Sequence, residues 1–310
     1  MKQFHAAIME QFPVRRKKEE RKAFRDWCLQ QAQEAGWSAR IEETDRTRQQ
    51  NVVIGDPDHA QVLFTAHLDT ESNLPFANPV FPRNFPLTVC WHLLVLIVLL
   101  AISGLITDLC SLVIHQNQVL WWILIGTYLA QLIYLGEGPS NRNNANGSSG
   151  LAAALELMAA LPEEDRDKCA FILFDGFGNG RRGSKGYAKI HLELAYMRMF
   201  VNLDSVGVGD RMLLISTSMA RRCTGYRLME RVLADTEGKQ VFFADSKLSM
   251  CSSDAKSFKC GIDLIACTQK SGIGNVVSHL RTKKDTVCDS ANLEWVVRAF
   301  TDYLHQLGNT

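Results

Sequence analysis

Between residues 15 and 35 the apolar side chains Phe24, Trp27 and Cys28 punctuate a charged stretch, which predicts an amphipathic helix ended near Gly36. Short apolar runs at 38–43, 51–54 and 61–66 predict strands. Residues 71–86 carry Pro75, Pro79, Pro82 and Pro86 and read as irregular, and the Gly-, Asn- and Ser-rich 136–150 stretch reads as a loop. A helix over 150–160 stops at Pro162. After it, strands are expected at 169–174, 199–204, 212–217, 240–244 and 262–267, and helices near 184–192, at 221–236 and near 254–259. The last helix has Asp289 or Ser290 as its cap, Leu293, Val296, Val297, Phe300, Leu304 and Leu307 at helical spacing, and Gly308 as its stop. Strands alternating with helices predict an α/β layered domain.

Two runs break this alternation. Residues 87–106 hold twenty residues without a formal charge, His92 being the one titratable group. As a helix they rise about 30 Å, the thickness of a bilayer's hydrocarbon core. Residues 119–135 form a second, seventeen-residue uncharged run. Trp91, Trp121, Trp122 and Tyr134 lie towards the segment ends, as interfacial aromatics do. The reading is a transmembrane hairpin over 87–135, inserted into one discontinuous α/β domain made of 1–86 and 136–310. The connection 107–118 has no Lys or Arg, whereas Arg83 and Arg142 flank the hairpin. The positive-inside rule therefore predicts an integral protein of the cytoplasmic membrane whose α/β domain faces the cytoplasm. No apolar run of signal-peptide length is expected at the N-terminus.

Composition alters this picture little. The 310 residues are 46% hydrophobic with a formal net charge of +1, which gives no case for nucleic-acid binding. The basic run from Arg15 to Arg25 reads as a solvated helix face, with attraction to anionic lipid as the alternative. None of the nine cysteines forms a Cys-x-x-Cys pair, so neither a zinc ribbon nor a redox motif is indicated, and buried free thiols are expected.

Candidate chemistry lies at four places in order along the chain. Thr65-Ala66-His67-Leu68-Asp69-Thr70 ends a strand, with His67 as a candidate metal ligand and Asp69 as the acid that orients its ring. Asn143 to Gly150 forms a loop before a helix. Asn202-Leu203-Asp204 ends another strand, and His279 to Thr286 forms a loop before the last helix. Strand ends are where α/β sheets place their sites. The Gly-rich run 176–183 lacks the ending of a phosphate-binding loop.

In the order and spacing of these motifs the sequence resembles the co-catalytic dizinc aminopeptidases, whose relatives include the glutaminyl cyclases and the transferrin-receptor ectodomain. It is most similar to a membrane-inserted branch with a hairpin between the first two motifs. The resemblance implies a three-layer α/β/α fold with a mostly parallel mixed sheet. It implies zinc ligands at His67, Asp204 and His279, with Asp69 orienting His67. The chain then departs from the pattern. Asn146 stands at the bridging-aspartate position, Phe177 at the general-base position and Gly178 at a ligand-glutamate position. An amide cannot bridge two zinc ions as a carboxylate does, glycine has no ligand, and phenylalanine takes no proton. The expectation is at most one weakly held zinc ion. Asp175, Glu137 and Glu156 are the alternative acids for the missing positions, and Asp254 and Asp285 read as structural. Three functions stay open: a pseudopeptidase that binds a peptide or protein partner at the lipid bilayer, a zinc aminopeptidase with a reduced site, and a structural membrane protein.

Overall fold

The computed structural model describes residues 4–44, 48–249 and 251–308. Its strands are β1 (Ala39–Glu43), β2 (Gln50–Ile54), β3 (Val62–His67), β4 (Cys169–Phe174), β5 (Met199–Leu203), β6 (Arg211–Ser216), β7 (Gln240–Asp245), β8 (Gly261–Lys270) and β9 (Gly274–Val276). They form one mixed sheet in the order β1-β2-β4-β3-β5-β8-β6-β7, with β9 on β8. The central strands β4, β3, β5 and β8 run parallel. β3 precedes the apolar insertion, and both its neighbours follow it. β3, β4 and β5 are mainly apolar runs buried on both faces, as a covered parallel sheet requires.

The helices are α1 (Phe4–Gln11), α2 (Lys18–Glu34), α3 (Phe85–Ser111), α4 (Asn117–Glu137), α5 (Ser149–Ala160), α6 (Arg182–Ile190), α7 (Leu192–Met197), α8 (Tyr226–Asp235) and α9 (Ser290–Leu307). Alternate strand residues separate two cores. Val62, Phe64, Phe171, Val201 and Leu264 pack under α1, α2, α5, α8 and α9. Leu63, Ile172, Phe174 and Phe200 face Tyr187 of α6, Leu194 of α7 and Phe258. The expected α/β class with helices on both faces of the sheet is thus what the chain adopts.

Several boundaries differ from expectation for local reasons. The helix expected from residue 15 starts at Lys18, because the Arg15 main chain is engaged with Thr70. The Arg15 N–H donates to Thr70 Oγ1 (3.0 Å), and the Thr70 N–H donates to the Arg15 carbonyl (3.2 Å). Nor is the basic run a uniformly solvated face, since Arg15 and Arg25 are 0% and 3% exposed. The helix expected at 221–236 begins only at Tyr226, after Gly225 adopts φ +85°. The helix expected near 254–259 is a 3₁₀ turn, Asp254–Ser257. α1 and β9 were not anticipated.

α3 and α4 are long and apolar enough to cross a membrane, and only 11% and 0% of their most apolar windows are buried. They pack side by side, with Gln131 Nε2 donating to Ser103 Oγ at 2.7 Å across the pair. Their base is fastened to the α/β layers. Asn84 caps α3 and donates to the Ile273 carbonyl, and Val80 and Val277 exchange main-chain hydrogen bonds. At the end of α4, the carbonyls of Gly136 and Gly138 accept from Arg16, and that of Leu135 accepts from Arg281 and Ser72.

Candidate active-site cleft

The C-terminal ends of β3, β4 and β5 converge on a cavity of about 420 Å³. His67 is the last residue of β3, and Asp204 follows β5. Phe177 and Gly178 lie in the turn after β4, where Gly176 at φ +73° reverses the chain. His67, Asp69, Phe177, Gly178 and Asp204 all line the cavity. His67 Nε2 lies 3.9 Å from Asp204 Oδ1. Burial would lower the His67 pKa, but the carboxylates of Asp204, Asp69 and Asp254 outweigh it and raise it above the ordinary 6.5.

Asp69 acts differently from the expected orienting acid. His67 Nδ1 is hydrogen-bonded to the Asp69 main-chain carbonyl (2.9 Å), not to its carboxylate. That carboxylate accepts the main-chain N–H groups of Phe177 (3.0 Å) and Gly178 (3.1 Å) and so holds the turn after β4. The turn in turn lays the Phe177 ring on the His67 imidazole, with centroids 4.4 Å apart and planes 15° from parallel. A Cβ at Gly178 would sit 3.3 Å from Glu71 Cγ, a tight contact that a small shift of the Glu71 side chain relieves.

Asn146 is buried behind the cavity wall. Its Oδ1 accepts from the Gly207 N–H (2.9 Å) and the Ser149 hydroxyl (3.3 Å), which fixes the amide's orientation. Its Nδ2 is buried without a hydrogen-bond partner. His279 stands apart: it is exposed, has φ +68°, and is not among the lining residues. Its neighbour Arg281 enters the cavity instead and pairs with Glu71 at 3.1 Å. The alternative acids do not reach the cleft. Asp175 faces Arg21 and Arg25 at 3.4 and 3.5 Å, Glu156 accepts from the Phe4 N–H, and Glu137 pairs with Arg16.

These residues do not fit a zinc pair. Zinc needs several anionic or imidazole donors turned on one point. Here the oxygen of Asn146 is taken by Gly207, and its free atom is an N–H donor. His279 is exposed and does not line the cavity. Among the described residues no group of three His, Cys, Asp or Glu side chains is arranged to hold a metal ion.

Reading motifs missed Glu71, Arg281, Asp263 and the hairpin residues Thr88 and His92. Glu71 stands two residues beyond Asp69, which is the one signal that would have found it. Asp285, expected as structural, accepts from the N–H groups of Asn146 (2.7 Å) and Gly147 (3.2 Å) and so holds that loop. Asp254 accepts from the Ser184 hydroxyl and Asp263 from Asn202 Nδ2.

Burial pushes Asp254 and Asp285 up to about 6. Burial, followed by the nearby Asp204 charge, pushes Asp263 up to about 7. The ordinary value is 3.8. The folded state therefore binds these protons more tightly than the unfolded chain does. The stability they contribute is present at low pH and is lost as pH rises from the ordinary value through about 6 to 7. The urea midpoint should accordingly be higher at about pH 5 than at about pH 8. Asp263→Asn keeps the acceptor for Asn202 and should flatten that slope; an unchanged slope in the variant would reject Asp263 as its source.

Residues 144–287, just under half of the chain, match the family model described as Peptidase family M28. This bears out the resemblance read from the motifs. The match covers the loop of Asn146, the turn of Phe177 and Gly178, Asp204 and His279, while His67 and Asp69 precede it. No curated protein matches the chain. Among solved structures it is similar to a Zn-dependent exopeptidase from Parabacteroides distasonis, at 16% identity and TM-score 0.59, covering 97% of this chain and 96% of that one. A glutaminyl cyclase from Porphyromonas gingivalis gives 14% identity and TM-score 0.60, covering 98% and 96%. A leucine aminopeptidase precursor from Bacteroides thetaiotaomicron gives 13% and 0.56, covering 97% and 94%. These likenesses establish a shared fold.

Proposed function

We propose that the chain is a membrane-anchored aminopeptidase-like protein that binds a peptide or protein partner in its cleft without cleaving it. The observation that carries this reading is the Phe177 ring stacked on His67. By the motif resemblance an apolar ring stands where a general base is expected, and general-base catalysis alone is worth about 10²–10⁴-fold. Gly178, the buried amide of Asn146 and the outlying His279 support the same conclusion, with at most one weakly held zinc ion. Anchoring is supported by the length and exposure of α3 and α4. Arg83 and Arg142 at their base favour a cytoplasmic α/β domain.

The purified full chain should retain less than one zinc per molecule after dialysis and should show no chelator-sensitive hydrolysis of aminoacyl arylamides. Two firmly held zinc ions, with hydrolysis abolished by chelation, would overturn the proposal. That outcome would favour a reduced-site hydrolase, with Glu71 as the nearest cavity acid to examine.

A further inference from the structure

At the foot of α4 lies a second polar recess, of about 360 Å³. Small-molecule sites run from about 300 to 1,000 Å³. Asp69, Glu71, Gly178 and Arg281 line both this recess and the cavity around His67, so the two spaces are neighbours. Three guanidiniums, those of Arg16, Arg21 and Arg281, meet three carboxylates there, those of Asp69, Glu71 and Glu137. The recess is therefore strongly charged and yet balanced in charge.

The pairing among these groups is incomplete. Arg16 and Arg281 donate to carbonyls at the end of α4, and each also meets one carboxylate oxygen. Arg16 lies 3.3 Å from Glu137 Oε2, and Arg281 lies 3.1 Å from Glu71 Oε1. Asp69 is engaged with the turn after β4. Arg21 pairs with Asp175 through Nε at 3.4 Å. Among the described residues, neither terminal nitrogen of Arg21 has an acceptor, and neither Glu71 Oε2 nor Glu137 Oε1 has a donor. The recess thus offers cationic N–H donors and anionic acceptors together. A ligand that answers both carries an anionic group and an N–H-bearing cation, with no net charge.

The position of the recess says where such a ligand comes from. Leu135, Gly136 and Glu137 line it and are the last residues of α4. Glu137 is the first residue with a formal charge after Asp108. With α4 in a bilayer, the recess lies where the span leaves the hydrocarbon, at the level of the headgroups. Leu129, Ile133 and Glu137 follow one another at four-residue spacing, so they share one face of α4. Leu129 and Ile133 are 51% and 64% exposed, which continues the recess as an apolar track along the helix.

We propose that the recess holds the headgroup of a zwitterionic aminophospholipid of the phosphatidylethanolamine type. Its phosphate meets Arg21, its ammonium meets Glu71 and Glu137, and an acyl chain lies along Ile133 and Leu129. This rests on the reading of α3 and α4 as a membrane anchor. An anionic headgroup without an amine leaves the two carboxylates unanswered, and a choline headgroup has no N–H to give them. A soluble peptide carries the same two charges but gains nothing from the apolar track.

The test titrates the full chain in mild detergent with dioleoyl phosphatidylethanolamine, phosphatidylcholine and phosphatidylglycerol in turn, read by native mass spectrometry. The ethanolamine lipid should bind about tenfold or more tighter than either of the others. Arg21→Gln should weaken it by about tenfold. Glu137 is 75% exposed, so Glu137→Gln leaves the fold in place and should reduce the preference for ethanolamine over choline. Equal binding of the ethanolamine and choline lipids, tighter binding of the glycerol lipid, or an unchanged preference in Glu137→Gln overturns the inference. Soluble glycerophosphoethanolamine binding as tightly as the lipid would assign the recess to a free phosphodiester, and displacement of the lipid by dialanine would assign it to a peptide; each also overturns it. Release of the chain from membranes by alkaline carbonate would sink the anchoring reading and this inference together. A chain that stays in the membrane without the ethanolamine preference sinks the inference alone.

Discussion

Arg15→Met should destabilise the folded chain by about 3 kcal/mol or more. The guanidinium is 0% exposed and lies 5.0 Å from the centre of the Phe24 ring. It donates from Nε to the Leu68 carbonyl (2.6 Å), from Nη1 to the Phe12 carbonyl (2.8 Å) and from Nη2 to Ser148 Oγ (2.9 Å). Those acceptors belong to the segment after β3, to the chain after α1 and to the loop before α5. One side chain therefore ties the first site motif to the second across the inserted hairpin. Burial lowers its pKa to about 10, so it remains charged at neutral pH, with Cys28 and Asp69 acting in the opposite direction to burial. Methionine fills similar space but leaves buried acceptors without a donor. Arg15→Lys keeps the charge without the planar fork and should fall between. The check is the urea midpoint of the full chain in detergent. A loss below about 1 kcal/mol in the methionine variant would reject this role.

Arg15 also marks the limit of what could be read from the sequence. Its charge was plain, yet the acceptors that bury it lie at residues 68 and 148, and no local pattern encodes them. The same holds for Arg25, whose partner Asp175 lies far along the chain. Strands were more legible because a covered parallel sheet demands continuous apolar runs, and β4 falls at the expected residues 169–174. The apolar hairpin was legible for the related reason that few other structures use such long uncharged runs. α3 extends a few residues beyond the expected 87–106 at each end.

At the site, strand ends were the dependable guide. His67, Phe177, Gly178 and Asp204 meet because β3, β4 and β5 are parallel neighbours whose ends share one edge. Loop residues were not legible to the same degree. His279 and Arg281 both adopt left-handed backbone conformations, at φ +68° and +60°, which turn the segment so that Arg281 and not His279 reaches the cavity. Side-chain identity alone carries no information about that reversal. Asp69 is an intermediate case. Its place beside His67 was legible, but the main chain it binds is that of a turn more than a hundred residues later. Its carboxylate organises the Phe177 turn, so retention of this acid does not by itself imply retention of a metal.

Gly150→Val should be comparably damaging, at about 3 kcal/mol or more. Gly150 lies in the first turn of α5, where the helix approaches the end of β5. A Cβ there would be 2.1 Å from the Leu203 carbonyl oxygen, 2.5 Å from its carbon and 2.9 Å from Asp204 Cα. All three are main-chain atoms at the end of β5, so no rotamer change relieves the clash and α5 must move away. The Ser149-Gly150 pair, read as part of a motif, is thus a packing requirement as well: the glycine admits the helix, and Ser149 Oγ bonds the Gly207 N–H at 2.8 Å. Retreat of α5 would also loosen the Asn146 loop and disturb Asp204, so the variant should lose partner binding together with stability. Gly126→Val in α4 provides the contrast, since a Cβ there meets nothing within 4 Å. Thermal unfolding of the two variants in the same detergent decides the matter. If Gly150→Val unfolds within a degree or two of the parent chain, the close approach of α5 to β5 is not what this glycine secures.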